Sequence, residues 1–98
     1  MEVIYHGLIA SDLQQAIQYY ESEGGSRLGD RFFEDVEDTV QKVISSPRRY
    51  PYIDDEFRRA QLTSFPYHFL YREHKSTIQF LVLRHDKRHT NFGLRRNF

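Results

Sequence analysis

The adjacent glycines Gly24-Gly25 constrain this chain more than any other feature, because one amphipathic pattern runs into them and a second leaves on the far side. Upstream, Leu13, Ala16, Ile17 and Tyr20 recur at i, i+3, i+4 and i+7, a single apolar helical stripe. Ser11 or its neighbour is expected to cap that helix, with Asp12 near the positive end of the dipole. Glycine tolerates the left-handed backbone that helix ends often require, so the pair is expected to stop the helix. Downstream, from about Arg27 to Ser45, Phe32 or Phe33, Val36, Val40, Val43 and Ile44 keep the helical period. Glu34, Asp35, Glu37, Asp38, Gln41 and Lys42 fall on the wet side, and Pro47 ends the run. Two such helices joined by a tight turn make an antiparallel hairpin. Each stripe needs a sheet or another helix to cover it.

Strand-like segments supply the cover. Glu2 to His6 reads as an opening strand. After a loop rich in Pro, Tyr and Asp, from Pro47 to Glu56, further strands are expected to begin near Phe57, Tyr67 and Thr77. In Tyr67–Arg72 the aromatics fall on one alternation. Glu73-His74-Lys75-Ser76 turns the chain into Ile78–Leu83, whose near-continuous apolarity predicts a central strand buried on both faces. The expected class is α+β in the order β-α-α-β-β-β. An N-terminal strand is followed by an antiparallel two-helix hairpin packed on a mainly antiparallel sheet. Residues 1–98 read as one domain, with 91–98 as a C-terminal tail whose Phe92, Leu94 and Phe98 are expected to pack back on it.

Composition narrows the function classes. With 39% hydrophobic and 29% charged residues, the 98-residue chain is globular rather than disordered. No apolar run approaches the roughly 18 to 20 residues that span a bilayer, so no membrane partner is expected. The absence of cysteine excludes disulfides, zinc–thiolate sites and thiol catalysis. No His/Asp/Glu spacing suggests a metal site, and neither a glycine-rich phosphate loop nor a nucleophile-elbow serine appears, so no metal and no cofactor are expected. Met1–Tyr5 lacks the layout of a signal peptide, and the cytoplasm is the expected compartment.

Net charge is zero, but it is unevenly spread. Residues 1–49 hold five Lys/Arg against nine Asp/Glu, whereas 50–98 hold nine against five and four of the five histidines. From Arg84 onward, Arg84, Lys87, Arg88, Arg95 and Arg96 face only Asp86, which suggests a local anionic partner.

Five segments in order resemble one family. Asp12-Leu13 through Ile17-Gln18-Tyr19-Tyr20, Leu28-Gly29-Asp30-Arg31-Phe32 and Ser46-Pro47 through Tyr50-Pro51 are the first three. Arg58-Arg59-Ala60 through Phe65-Pro66-Tyr67 and Leu70-Tyr71-Arg72 is the fourth, and Leu81-Val82-Leu83-Arg84-His85 followed by Lys87-Arg88 the fifth. Together, over about residues 3–89, the chain resembles the RelE/ParE superfamily of bacterial type II toxin–antitoxin toxins, closer to the ParE-like, plasmid-stabilisation branch. The resemblance implies a small toxin neutralised by a cognate antitoxin that drapes a flexible, helix-bearing segment across it. RelE-like members cut mRNA in the translating ribosome, ParE-like members poison DNA gyrase, and some relatives are weak or inactive.

If the chain were a nuclease, it would be a metal-independent endoribonuclease. Such an enzyme needs a base for the 2′-hydroxyl, an acid for the leaving oxygen and cations around the phosphate. The candidates are Arg59, Arg84 and His85; Arg59 and His85 match positions at which RNA-cleaving relatives place a phosphate-binding arginine and a terminal-strand acid. Strand alternation sends Arg58 and Arg59 opposite ways, and likewise Arg84 and His85. Arg58, Lys87, Arg88, His89, Arg95 and Arg96 are the candidates for binding an antitoxin or target. Each has a plain alternative: a strand arginine in a surface ion pair, or His85 capping a strand end beside Asp86. His6, His68 and His74 read as scattered strand and turn residues, and Tyr19, Tyr20, Tyr50, Tyr52, Tyr67 and Tyr71 as packing. Neutral net charge and acidic helices suit a protein-directed role better than RNA docking, which favours the ParE-like reading.

Overall fold

Gly25 adopts φ +78° and ψ −177°, a region closed to side chains, and Gly24 sits at φ −144°, ψ 16°. In the computed structural model, which describes residues 1–98, these two break the helical segment Ile9–Ser45 into α1 (9–23) and α2 (26–45). An unbroken helix of that length would run about 55 Å, yet the longest dimension of the molecule is 40 Å. The arms fold back on each other: the rings of Tyr20 and Phe32 stack at 5.1 Å between centroids. A Cβ on Gly29 would come within 2.6 Å of Glu21, so the arms cross closely there.

The sheet has four strands: β1 (Glu2–Tyr5), β2 (Arg58–Gln61), β3 (Tyr67–His74) and β4 (Thr77–His85), in spatial order β1-β4-β3-β2. It is mixed. β2–β3 and β3–β4 are antiparallel, whereas β1 lies parallel to β4 because the hairpin carries the chain across before β4 forms. As its apolar run predicts, β4 is central, and Ile78 through Arg84 are buried. Leu81 is an extra residue between Phe80, opposite Tyr71, and Val82, opposite Leu70, a β-bulge. The bulge turns Leu81 and Val82 to the same side.

The helices cover one face of the sheet, where Phe32, Val36, Val40 and Val43 meet Phe69, Tyr71, Phe80 and Leu83. On the other face Phe57, Leu70, Leu81 and Val82 form a smaller cluster closed by Phe92 and Leu94 of the tail. Tyr71 ties the sheet to the end of α2 by donating to the Pro47 carbonyl at 2.6 Å, and burial pushes its phenol up to about 12.

Local details depart from the sequence pattern. The first helix begins at Ile9, with His6 accepting the Leu8 N–H at 3.1 Å, so Ser11 is inside the helix. Asp35 is not on the wet side: it is buried, and its carboxylate accepts from Thr63 and Ser64 N–H at 3.1 and 2.7 Å. A helical period separates the two faces but does not foresee a β2–β3 turn arriving at the boundary. No helix is long and apolar enough to cross a membrane.

Candidate functional site

Five polar side chains, Arg59, Gln61, His68, Arg84 and Asp86, converge near the C-terminal end of β4. Register determines which side chains meet there. Gln61 pairs with His68, His68 with Arg84, and Tyr67 with His85, so Arg59, Gln61, His68 and Arg84 share the face away from the helices. Arg58 and His85 lie on the helix face, with Tyr67. The structure thus brings Arg59 and Arg84 together and puts His85 across the sheet from Arg59.

On the outer face one hydrogen-bond chain links five residues. Arg84 Nε donates to His68 Nε2 at 2.9 Å, and His68 Nδ1 lies 2.8 Å from Asp86 Oδ1. An arginine has no lone pair to offer, so His68 accepts at Nε2, carries its proton on Nδ1 and donates to the Asp86 carboxylate. The ring is neutral. Burial lowers its pKa, an effect that Asp86 opposes and Arg59 and Arg84 reinforce. Asp86 also takes Gln61 Nε2 at 2.9 Å and lies 3.3 Å from Arg59, which itself donates to Gln61 Oε1 at 2.7 Å. Arg84 is 7% exposed and donates further to the carbonyls of Thr90 and Phe92 at 2.8 and 2.9 Å. Burial, and then Arg59, lower its pKa.

Beside this chain, between α1 and the end of β4, lies a cleft of about 230 Å³ lined by Arg84, His85, Arg88, Tyr19, Tyr67 and Phe92, with Asp12 at one wall. Arg88 stacks over Phe92 at 4.0 Å. His85 packs edge-on to Tyr67 at 5.1 Å and accepts the Lys87 N–H at Nδ1, capping the strand end. Burial foremost raises the Tyr67 phenol, so it is a donor at neutral pH.

The remaining basic candidates divide in two. Arg58 is engaged within the chain, donating to the Tyr50 and Arg48 carbonyls at 2.6 and 3.2 Å and stacking on Tyr52. Arg96 is engaged too: it holds Asp12 through two contacts of 2.6 and 2.8 Å. There the pair finishes the sheet. β1 runs out beside Phe80, and Asp12 accepts the Leu83 N–H at 3.2 Å while Arg96 donates to the Leu81 carbonyl at 3.2 Å. Together they stand in for the strand that β4 lacks on that edge. Lys87, Arg88, His89 and Arg95 are exposed, with His89 accepting the Asn91 N–H.

The sequence pattern missed His68, Asp86 and Gln61 as members of one chain. The signal lay in register: His68, Arg84 and Gln61 are neighbours only once β2, β3 and β4 are aligned. No family model and no curated protein sequence matches this chain. Among solved structures it is similar to a chain of the chromosomal ParDE TA system from P. aeruginosa, with a TM-score of 0.78 and 18% identity over 87% of this chain and 95% of that one. The likeness is one of backbone, and it leads to one conclusion: this chain has the fold of that chain of the ParDE TA system.

Proposed function

We propose that this protein is the toxin of a type II toxin–antitoxin pair, arresting growth in the ParE-like manner by binding a protein target such as DNA gyrase, and held inactive by a cognate antitoxin. The observation that carries the reading is the fold likeness to a chain of a ParDE system over nearly the whole of both chains. Two features support the protein-directed branch. Arg59 and His85, the pair an RNA-cleaving mechanism would ask to share a phosphate, lie on opposite faces of the sheet, and Arg59 is engaged by Asp86 and Gln61. The helical segment from 9 to 45 carries eight acidic residues against three basic ones, which disfavours docking on RNA.

Cleavage of ribosome-bound mRNA is the second reading, and the observation in its favour is that Arg84, His85 and Arg88 line one cleft. The two separate in a supercoiling assay with purified gyrase. Inhibition that disappears when the antitoxin is added supports the gyrase reading. Unimpaired supercoiling at a large molar excess of the protein contradicts it.

A further inference from the structure

The cleft between α1 and the end of β4 holds more hydrogen-bond donors and more positive charge than the chain itself answers. Arg84 is 7% exposed, yet its nitrogens meet a neutral imidazole and two carbonyls rather than a carboxylate. A buried cation left so is expensive unless an anion arrives. Arg88 lies on the Phe92 ring and makes no ion pair. Asp12, the one carboxylate at the wall, is consumed by Arg96. His85 spends Nδ1 on the Lys87 N–H, which leaves Nε2 to donate, and Tyr67 adds a protonated phenol. Ala16, Leu83 and Phe92 give the cleft apolar wall for an aliphatic stem.

We infer that this cleft receives a carboxylate side chain, Asp or Glu, from an acidic segment of a protein partner, with Arg84 and Arg88 supplying the charge and Tyr67 and His85 further donors. The inference rests on the reading of the chain as a toxin held by a protein. A volume of about 230 Å³ suits one anion on a short stem. A nucleic-acid backbone would have to run its further phosphates past the acidic hairpin of which α1 is a part.

The test is a titration of the isotope-labelled 98-residue chain with sodium glutarate at constant ionic strength, followed by NMR. Saturable shifts confined to Tyr67 and the stretch from Leu83 to Arg88, weakened at least fivefold in Arg88→Gln, bear the inference out. Arg88 is exposed, so that variant keeps the fold, and its unchanged spectrum elsewhere checks this. Shifts that never saturate, that sodium chloride reproduces, or that Arg88→Gln leaves untouched overturn it. Displacement of glutarate by a lower concentration of a uridine hexanucleotide also overturns it, by assigning the cleft to nucleic acid. The titration does not read toxicity: glutarate binding without growth arrest removes the toxin reading alone, and growth arrest without binding removes the cleft alone.

Discussion

At the scale of single residues, the two buried polar pairings differ in kind, and so do the tests of each. Asp12 and Arg96 are 8% and 11% exposed at their side chains and close the open edge of β4. Removing either partner leaves the other buried and unanswered, so Asp12→Ala and Arg96→Ala are each expected to cost about 3 kcal/mol in urea unfolding. The double variant should cost clearly less than their sum; strict additivity would show that the pair does not act as a unit. His68 is a matter of pH. Its folded pKa lies below the ordinary 6.5 because it is buried, so on acidification the unfolded chain takes up a proton before the native one. Stability is therefore full above about 6.5 and falls as pH drops through the lower folded value, by up to about 1.4 kcal/mol per pH unit. His68→Gln should flatten that stretch of the profile by one proton, and an unchanged slope would contradict the buried neutral ring. None of this was visible in residue types. His68 and Asp12 look ordinary in sequence because their partners arrive through strand register or across 84 positions of chain.

At the scale of elements, the helical hairpin was the most legible part. Periodicity and the glycine pair marked both arms, and the coordinates give the pair its reason. Gly25 needs a backbone region that side chains do not enter, although a Cβ there would meet nothing within 4 Å. Gly25→Ala is thus expected to lose about 1–3 kcal/mol through backbone strain alone. Gly7→Ala, which also meets nothing within 4 Å and needs no such φ, should lose less than about 0.5 kcal/mol. Equal melting temperatures for the two would refute the turn argument. Strand starts were likewise close, since aromatics at Tyr67, Phe69 and Tyr71 alternate cleanly onto the helix face. The parallel pairing of β1 and the bulge at Leu81 were not readable, because both depend on which strands become neighbours. The tail is more tightly built in than its composition suggested. Phe92 and Leu94 close a cluster over Leu70, Leu81 and Val82, and the Phe92 carbonyl receives Arg84. Truncation after Thr90 is expected to lower stability by about 2–4 kcal/mol, from the loss of two packed side chains and the Arg96 contact. A truncated chain with the full-length denaturation midpoint would show the tail to be an appendage.

For the whole molecule, acidic helices lie on one face of the sheet, and a basic strand end and tail meet at its far margin. That polarity was legible as a charge difference between the two halves of the sequence, but its concentration around the end of β4 was not. The outer hydrogen-bond chain takes up Arg59, the loop before β2 takes up Arg58, and the sheet edge takes up Arg96. Of the basic candidates, Lys87, Arg88, His89 and Arg95 are left exposed. The central claim, growth arrest through a protein target, is tested most directly by inducing this chain alone, briefly, in growing bacteria and mapping message ends by primer extension. The account expects growth to stop while translated messages stay intact. New cuts inside codons, or cells that keep growing at full rate, would contradict it.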